Sequence, residues 1–174
     1  VVVVISNDPA AKALGVASRH GVKAVALEST GTSREEYDAK LAGILRSHGV
    51  EPGKGLILLA GFMKILSRPF VETYQGRIMN IHPSLLPAFP GVRAQQQALV
   101  HGVKVAGCTV HFVVPEVDAG PIVAQKAVPV KDGDDEESLS SRILRQEHKL
   151  YPLAVKLFVE GRLRTERRKV TIVR

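Results

Sequence analysis

The sequence predicts an α/β layered fold, and two observations carry that expectation. Short apolar runs rich in Val and Ile recur along the chain, and longer segments of helical period lie between them. The length of 174 residues suits one hydrophobic core. A composition of 45% hydrophobic and 24% charged residues sits near the globular average and argues against wholesale disorder.

The elements follow in order. Val1 to Ser6 reads as a buried strand, and Asp8 with Pro9 supplies an N-cap and a first-turn proline for a helix reaching His20. Gly21 can take the left-handed stop, and Lys23 to Leu27 is a second strand. Ser33-Arg34-Glu35-Glu36 has capping-box spacing, with Leu41, Ile44 and Leu45 behind it, so a helix is expected from Arg34 to His48. Glu51-Pro52-Gly53 ends it. Leu56 to Leu59 reads as a strand, Pro69 to Tyr74 as a short helix, and Arg77 to Ile81 as a strand entering a proline-rich loop. Ala94 to His101 is helical. Val105 to Val114 and Ile122 to Val130 are β-branched strands flanking the turn-rich segment Pro115 to Pro121. Asp134 to Glu137 place negative charge at the start of a long helix, Glu136 to Glu160, in which Pro152 is the expected site of a kink.

The chain carries 24 Lys and Arg against 17 Asp and Glu, a formal charge of +7 that favours anionic partners. Much of the excess lies in Arg162, Arg164, Arg167, Arg168, Lys169 and Arg174, and a terminal cluster of this kind is by default a solvated surface. With five Phe, three Tyr and no Trp there is no aromatic ladder of the kind single-strand RNA readers use, so nucleic acid ranks low as a partner. Cys108 is the only cysteine, which excludes an internal disulfide framework and suits the cytoplasm. No apolar run approaches a membrane span, and the opening valines lack the basic flank of a signal peptide.

Asn80 and His82 lie two apart in an extended segment, so their side chains share a face, and Pro83 biases His82 further toward extended backbone. An amide and an imidazole aimed at one point can donate hydrogen bonds to an oxyanion. The competing reading is a strand end whose polar groups satisfy loop backbone. Pro83, Pro87, Pro90 and Gly91 make the following loop rigid, which suits holding a binding residue still. Asp118 stands beside Ala119 and Gly120, where small neighbours allow close approach; turn formation is the alternative role for such an aspartate.

Leu59-Ala60-Gly61-Phe62-Met63, Asn80-Ile81-His82-Pro83-Ser84-Leu85-Leu86-Pro87 and Val117-Asp118-Ala119-Gly120 occur together and in order. So arranged, they resemble the glycinamide ribonucleotide formyltransferases, and the likeness runs from Ser6-Asn7 to Leu163, with Gln146-Glu147-His148 and Tyr151-Pro152. The resemblance implies a Rossmann-like formyltransferase fold, a mostly parallel central sheet flanked by helices, in a single domain over residues 1–174. It implies transfer of a formyl group from 10-formyltetrahydrofolate to the amine of glycinamide ribonucleotide in purine synthesis, without a metal. Asn80, His82 and Asp118 become the catalytic trio. Met63, Lys64, Ile65, Leu66 and Asn80, with the loop Val117, Asp118, Ala119 and Gly120, are expected to hold the folate. Met63, Ile81 and Glu147 are expected at the nucleotide, Glu147 on its ribose hydroxyls. His111 matches a family histidine near the site, with a satisfied core histidine as the equal alternative.

Several positions depart from the family pattern. Lys64 stands where arginine is usual, which keeps a charge but loses a bidentate grip. Arg93 and Gln95 also differ, with histidine expected at Gln95. The resembling proteins begin with a further strand and a Gly- and Ser/Asn-rich phosphate loop, so the given sequence is expected to be N-terminally incomplete, Val1 to Ser6 aligning with the second strand. Competing readings are another formyl-folate transferase, a formyl-folate hydrolase, or an inactive folate-binding fragment. The sequence leaves the oligomeric state open.

Overall fold

In the computed structural model, which describes residues 1–174, every expected strand and helix forms. They divide into two compact units, residues 1–56 with 64–77 and residues 57–63 with 78–174.

In the first unit, β1 (Val3–Ser6) and β2 (Lys23–Ala26) pair in parallel around α1 (Lys12–Arg19). The start of α1 differs from expectation. Asp8 does not cap it: Asp8 Oδ1 accepts the Ala10 N–H at 2.8 Å, and Asp8 N–H donates to Ser6 Oγ at 3.1 Å. The carboxylate is spent on a local turn two residues ahead, the competition that Asp offers to helix formation, and Ala11 stands in the cap position without a side-chain bond. The capping box of α2 (Arg34–Ser47) forms as the spacing predicts, with Glu36 N–H on Ser33 Oγ at 3.1 Å and Ser33 N–H on Glu36 Oε2 at 3.0 Å. This helix buries Tyr37, Asp38, Leu41 and Leu45. The Asp38 carboxylate accepts the Ser67 N–H at 2.6 Å, and Ser67 caps α3 (Arg68–Thr73) through the Phe70 N–H. Burial, with Asp38 beside it, pushes the Tyr37 phenol up.

The second unit is a six-stranded sheet in the order β3-β4-β5-β6-β8-β7. Its strands are β3 (Ile57–Leu59), β4 (Ile78–His82), β5 (Val105–Phe112), β6 (Ile122–Pro129), β7 (Leu163–Glu166) and β8 (Lys169–Ile172). The pairs β3–β4 and β6–β8 are parallel, while β5 runs antiparallel to both neighbours and β7–β8 is a hairpin. The hairpin was not expected: β7 has one apolar residue, Leu163, and the alternation of β8 spans only Lys169 to Ile172, too short to stand out among the surrounding charges; its strands are largely exposed. It is seated instead by pairing, Lys169 lying opposite Ile122.

The core of this unit lies between the sheet and α5 (Glu136–Val159), which packs on β5 and β6. Helix α4 (Ala94–Val100) lies against α5. Leu139, Ile143, Leu150, Ala154 and Leu157 recur at helical spacing along α5 and are buried, as are Met79 on β4 and Cys108 and Val110 on β5. Tyr151, next to Pro152 inside the helix, aims its hydroxyl at the Leu59 and Met79 carbonyls, each at 2.9 Å, and so ties the ends of β3 and β4. No helix is long and apolar enough to cross a membrane.

The acidic run before α5 acts through hydrogen bonds as well as charge. Asp135 is the N-cap, accepting the Ser138 N–H at 2.8 Å. Asp134 takes a bidentate grip from Arg142 at 2.6 and 2.7 Å and also accepts the Lys131 N–H, and these bonds hold its carboxyl well below the usual range. A depressed folded-state pKa stabilises the fold above the unfolded value of about 4, and that contribution is lost as pH falls through the folded value. Asp134→Asn is therefore expected to lower the thermal midpoint at pH 7, with the gap to wild type closing as pH falls below about 4. Calorimetry across that range checks it; a constant gap would remove the linkage.

Candidate active site

Alternation along β4 puts Asn80 and His82 on one face, as the spacing predicts. The register sets Asn80 opposite His111 and His82 opposite Thr109 on β5. The His111 Nδ1–H donates to the Phe112 carbonyl at 3.0 Å, which leaves the Nε2 lone pair to accept from Asn80 Nδ2 at 3.2 Å. Burial lowers the His111 pKa, outweighing the Phe112 carbonyl and Asp118, which raise it, and His82 adds to the lowering. The neutral ring that results suits both bonds. The amide of Asn80 is thereby oriented, with its second N–H left to donate elsewhere.

Asp118 sits at φ 51°, a left-handed conformation that Asp tolerates better than most residues. Its Oδ2 accepts the Gly91 N–H at 2.7 Å, joining the loop after β4 to the loop after β5. The same oxygen lies 3.3 Å from His82 Nδ1, and Oδ1 lies 3.6 Å from His111 Nε2. His82 Nε2–H donates to the Phe89 carbonyl at 2.9 Å. Both nitrogens of His82 therefore face protein acceptors. Two turn-forming loops and two strands thus gather Asn80, His82, His111 and Asp118 into one cluster. Asp118 serves both as turn former and as a member of that cluster.

The other expected residues distribute unevenly. Met63 is 76% exposed in the loop after β3, Ile81 is half-buried, and Val117 is exposed beside Asp118 while Gly120 is buried. Lys64, Ile65 and Leu66 belong to the first unit, where Lys64 Nζ stands 5.2 Å over the Tyr37 ring, Ile65 is exposed and Leu66 is buried. Glu147 is not solvent-facing, the default for an acidic helix residue: it is half-buried, burial raises its pKa, and His148 and His82 oppose the rise. It faces inward far enough to help burial push the Cys108 thiol up to about 11, against a lowering by the Lys126 backbone. Arg93 takes the cap position of α4 at φ 56° with no capping bond, and Gln95 is half-buried on that helix.

Four contributors escaped sequence reasoning: the Phe89 carbonyl, the Gly91 N–H, Thr109 and Gln125. The first two are backbone atoms that no side-chain pattern marks. The last two act across strands, through a register that only the folded sheet defines. No group of three or more His, Cys, Asp or Glu side chains is arranged to hold a metal ion.

An α/β protein that sets an amide and an imidazole beside a carboxylate has the equipment of a group-transfer enzyme: a donor for a developing oxyanion and an acceptor for a proton. Residues 1–155 match the family described as formyl transferase. The chain belongs to the formyl transferase family, and its fold is the Rossmann-like α/β fold of that family. It is 52% identical to the solved structure of glycinamide ribonucleotide transformylase 1 from Symbiobacterium toebii, with a TM-score of 0.95 over 100% of this chain and 81% of that one. It is 43% identical to the phosphoribosylglycinamide formyltransferase of Escherichia coli strain K12, over 92% of this chain and 74% of that protein. It is also 47% identical to the trifunctional purine biosynthetic protein adenosine-3 of Gallus gallus, of which it spans 16%.

Proposed function

We propose that this chain, acting over residues 1–174 as a formyltransferase domain, moves a formyl group from 10-formyltetrahydrofolate to the amine of glycinamide ribonucleotide in purine synthesis. The observation that carries the reading is the gathering of both histidines about Asp118, His82 at 3.3 Å and His111 at 3.6 Å, with Asn80 held to His111 at 3.2 Å. The neutral amine attacks the formyl carbon, forming a C–N bond while the carbonyl pair moves onto oxygen. The second N–H of Asn80 and the charge of His82 stabilise that oxygen. Asp118 takes the ammonium proton through water and returns it to the folate nitrogen as the C–N bond to folate breaks and its electron pair stays on that nitrogen. Tetrahydrofolate leaves, and the amine carries the formyl group.

In this reading Val117, Asp118, Ala119 and Gly120 wrap the pterin, while Met63, Ile81 and Glu147 lie toward the nucleotide. The exposure of Met63 and Val117 supports the assignment, since apolar side chains open to solvent are available to an aromatic ligand. Folate contacts by Lys64, Ile65 and Leu66 are carried as part of the same reading. The reaction is taken to be cytoplasmic, with small-molecule substrates and without a metal.

Mixing the chain with both substrates and following the folate absorbance, with mass analysis of the amine product, tests this. Formylated glycinamide ribonucleotide is expected. Release of free formate with the amine unmodified, or no reaction, would overturn the assignment.

A further inference from the structure

Beside the cluster runs a second polar row, His82, Thr109 and Gln125, placed opposite one another on β4, β5 and β6 by the register. Thr109 is fully buried, yet its hydroxyl is completely used. It donates to the Ser84 carbonyl at 2.7 Å and accepts from the Leu86 N–H and from Gln125 Nε2, both at 3.0 Å. One donor and two acceptor sites are all that a hydroxyl has. Gln125 Nε2 also donates to the Leu86 carbonyl at 2.8 Å. Two side chains of the sheet thus clasp three backbone groups of the loop that follows His82.

That loop leads directly back to the histidine. Ser84 Oγ donates to the Ala88 carbonyl, Ala88 N–H donates to the Leu85 carbonyl, and the next residue, Phe89, holds φ at 52° and presents its carbonyl to His82 Nε2. The ring of His82 is oriented by a carbonyl seven residues ahead of it, and that carbonyl is set by the clasp. Gln125 is otherwise an exposed residue of β6, between exposed Lys126 and half-buried Ala124. Core packing does not account for what its amide does.

We propose that Gln125, through Thr109, is a positioning residue that holds the 84–89 loop so that the Phe89 carbonyl fixes the His82 ring. The consequence for turnover rests on the formyl-transfer reading; the consequence for the ring does not. Removing the Gln125 amide leaves the Leu86 carbonyl without that donor and frees one lone pair of Thr109, so the loop relaxes while the sheet persists. His82 then loses its alignment with Asp118, and a misplacement of this kind costs rate rather than substrate affinity.

The test compares the full chain with Gln125→Met, Thr109→Val and Thr109→Ser. In Gln125→Met the His82 ring nitrogen signals in heteronuclear NMR are expected to shift and the Nε2 proton to exchange faster. Turnover is expected to fall roughly 10- to 100-fold with KM unchanged, and the thermal midpoint to drop by a few degrees, about what two lost hydrogen bonds contribute. Thr109→Val should reproduce the loss, and Thr109→Ser, which keeps the hydroxyl, should restore it. Because Thr109 is buried, its valine variant can fail to fold, and Gln125→Met alone then decides. Unchanged His82 signals in folded Gln125→Met overturn the proposal whether or not the chain transfers formyl groups. Unshifted kcat, or a loss confined to KM, overturns it where the wild type is active. A wild type without formyl transfer defeats the functional reading only, and the NMR comparison still judges the clasp.

Discussion

Replacing Asp118 by Asn is expected to lower kcat for formyl transfer by roughly 10²- to 10⁴-fold, the range of a lost acid–base group, with little change in KM. The substitution is nearly isosteric, and Asn tolerates the left-handed backbone that residue 118 adopts at φ 51°. Its amide oxygen can still accept the Gly91 N–H that the carboxylate accepts at 2.7 Å, so the two loops stay joined. What disappears is the negative charge 3.3 Å from His82 Nδ1 and the lone pairs that receive the ammonium proton. Both act as the tetrahedral intermediate forms and collapse, so the loss belongs to the transition state rather than to the bound ground state. Steady-state kinetics with the folate donor and the amine acceptor check it. An Asp118→Asn enzyme with wild-type kcat would exclude the carboxylate from proton transfer.

The role of Asp118 in this expectation comes from the family resemblance, since residue type and spacing alone leave a turn former as the alternative; the placement of its partners is local. The same-face placement of Asn80 and His82 follows from strand period alone, and the capping box at Ser33 follows from a local spacing. Such features depend on neighbours within four residues, where sequence distance and spatial distance agree. Legibility failed where they part. His111 could be read equally as core or site, and the sequence could not show that a buried ring would place one nitrogen on its own strand's carbonyl and the other on Asn80. The partners of His82 come from a backbone carbonyl and a distant loop, and the clasp of Thr109 and Gln125 exists only once β5 and β6 are in register.

Two local misreadings have equally physical causes. Asp8 carries every sign of an N-cap, but an Asp side chain can satisfy backbone two residues ahead as readily as it caps a helix, and here the turn wins. The terminal hairpin escaped notice because its strands are four residues each and the alternation of Val170 and Ile172 is too short to stand out among the charges; it joins the sheet where Lys169 lies opposite Ile122. Glu147 shows the converse. A charged helix residue is assigned to solvent by default, yet α5 turns it toward β5, where burial raises its own pKa and its charge helps raise that of Cys108.

Gly120→Ala is expected to destabilise the chain by about 3 kcal/mol and to cut formyl transfer at the same time, because overpacking here meets backbone rather than a yielding side chain. A Cβ at Gly120 would fall inside the Phe112 carbonyl, the group that accepts the His111 Nδ1–H. Gly120 does not have a positive φ, so the cost is one of space and not of torsion. Gly102 supplies the contrast: it holds φ 66° after α4 with no atom within 4 Å of its would-be Cβ, so Gly102→Ala should cost about 1 kcal/mol through backbone strain alone and leave kcat intact. In Gly120→Ala either β5 moves, unseating His111 from Asn80, or the 113–120 loop moves and carries Asp118 away from His82. Both routes reach the same cluster, so stability and kcat must fall together. Urea unfolding alongside kinetics distinguishes the cases, and a Gly120→Ala chain as stable and active as Gly102→Ala would mean that the loop does not press on β5.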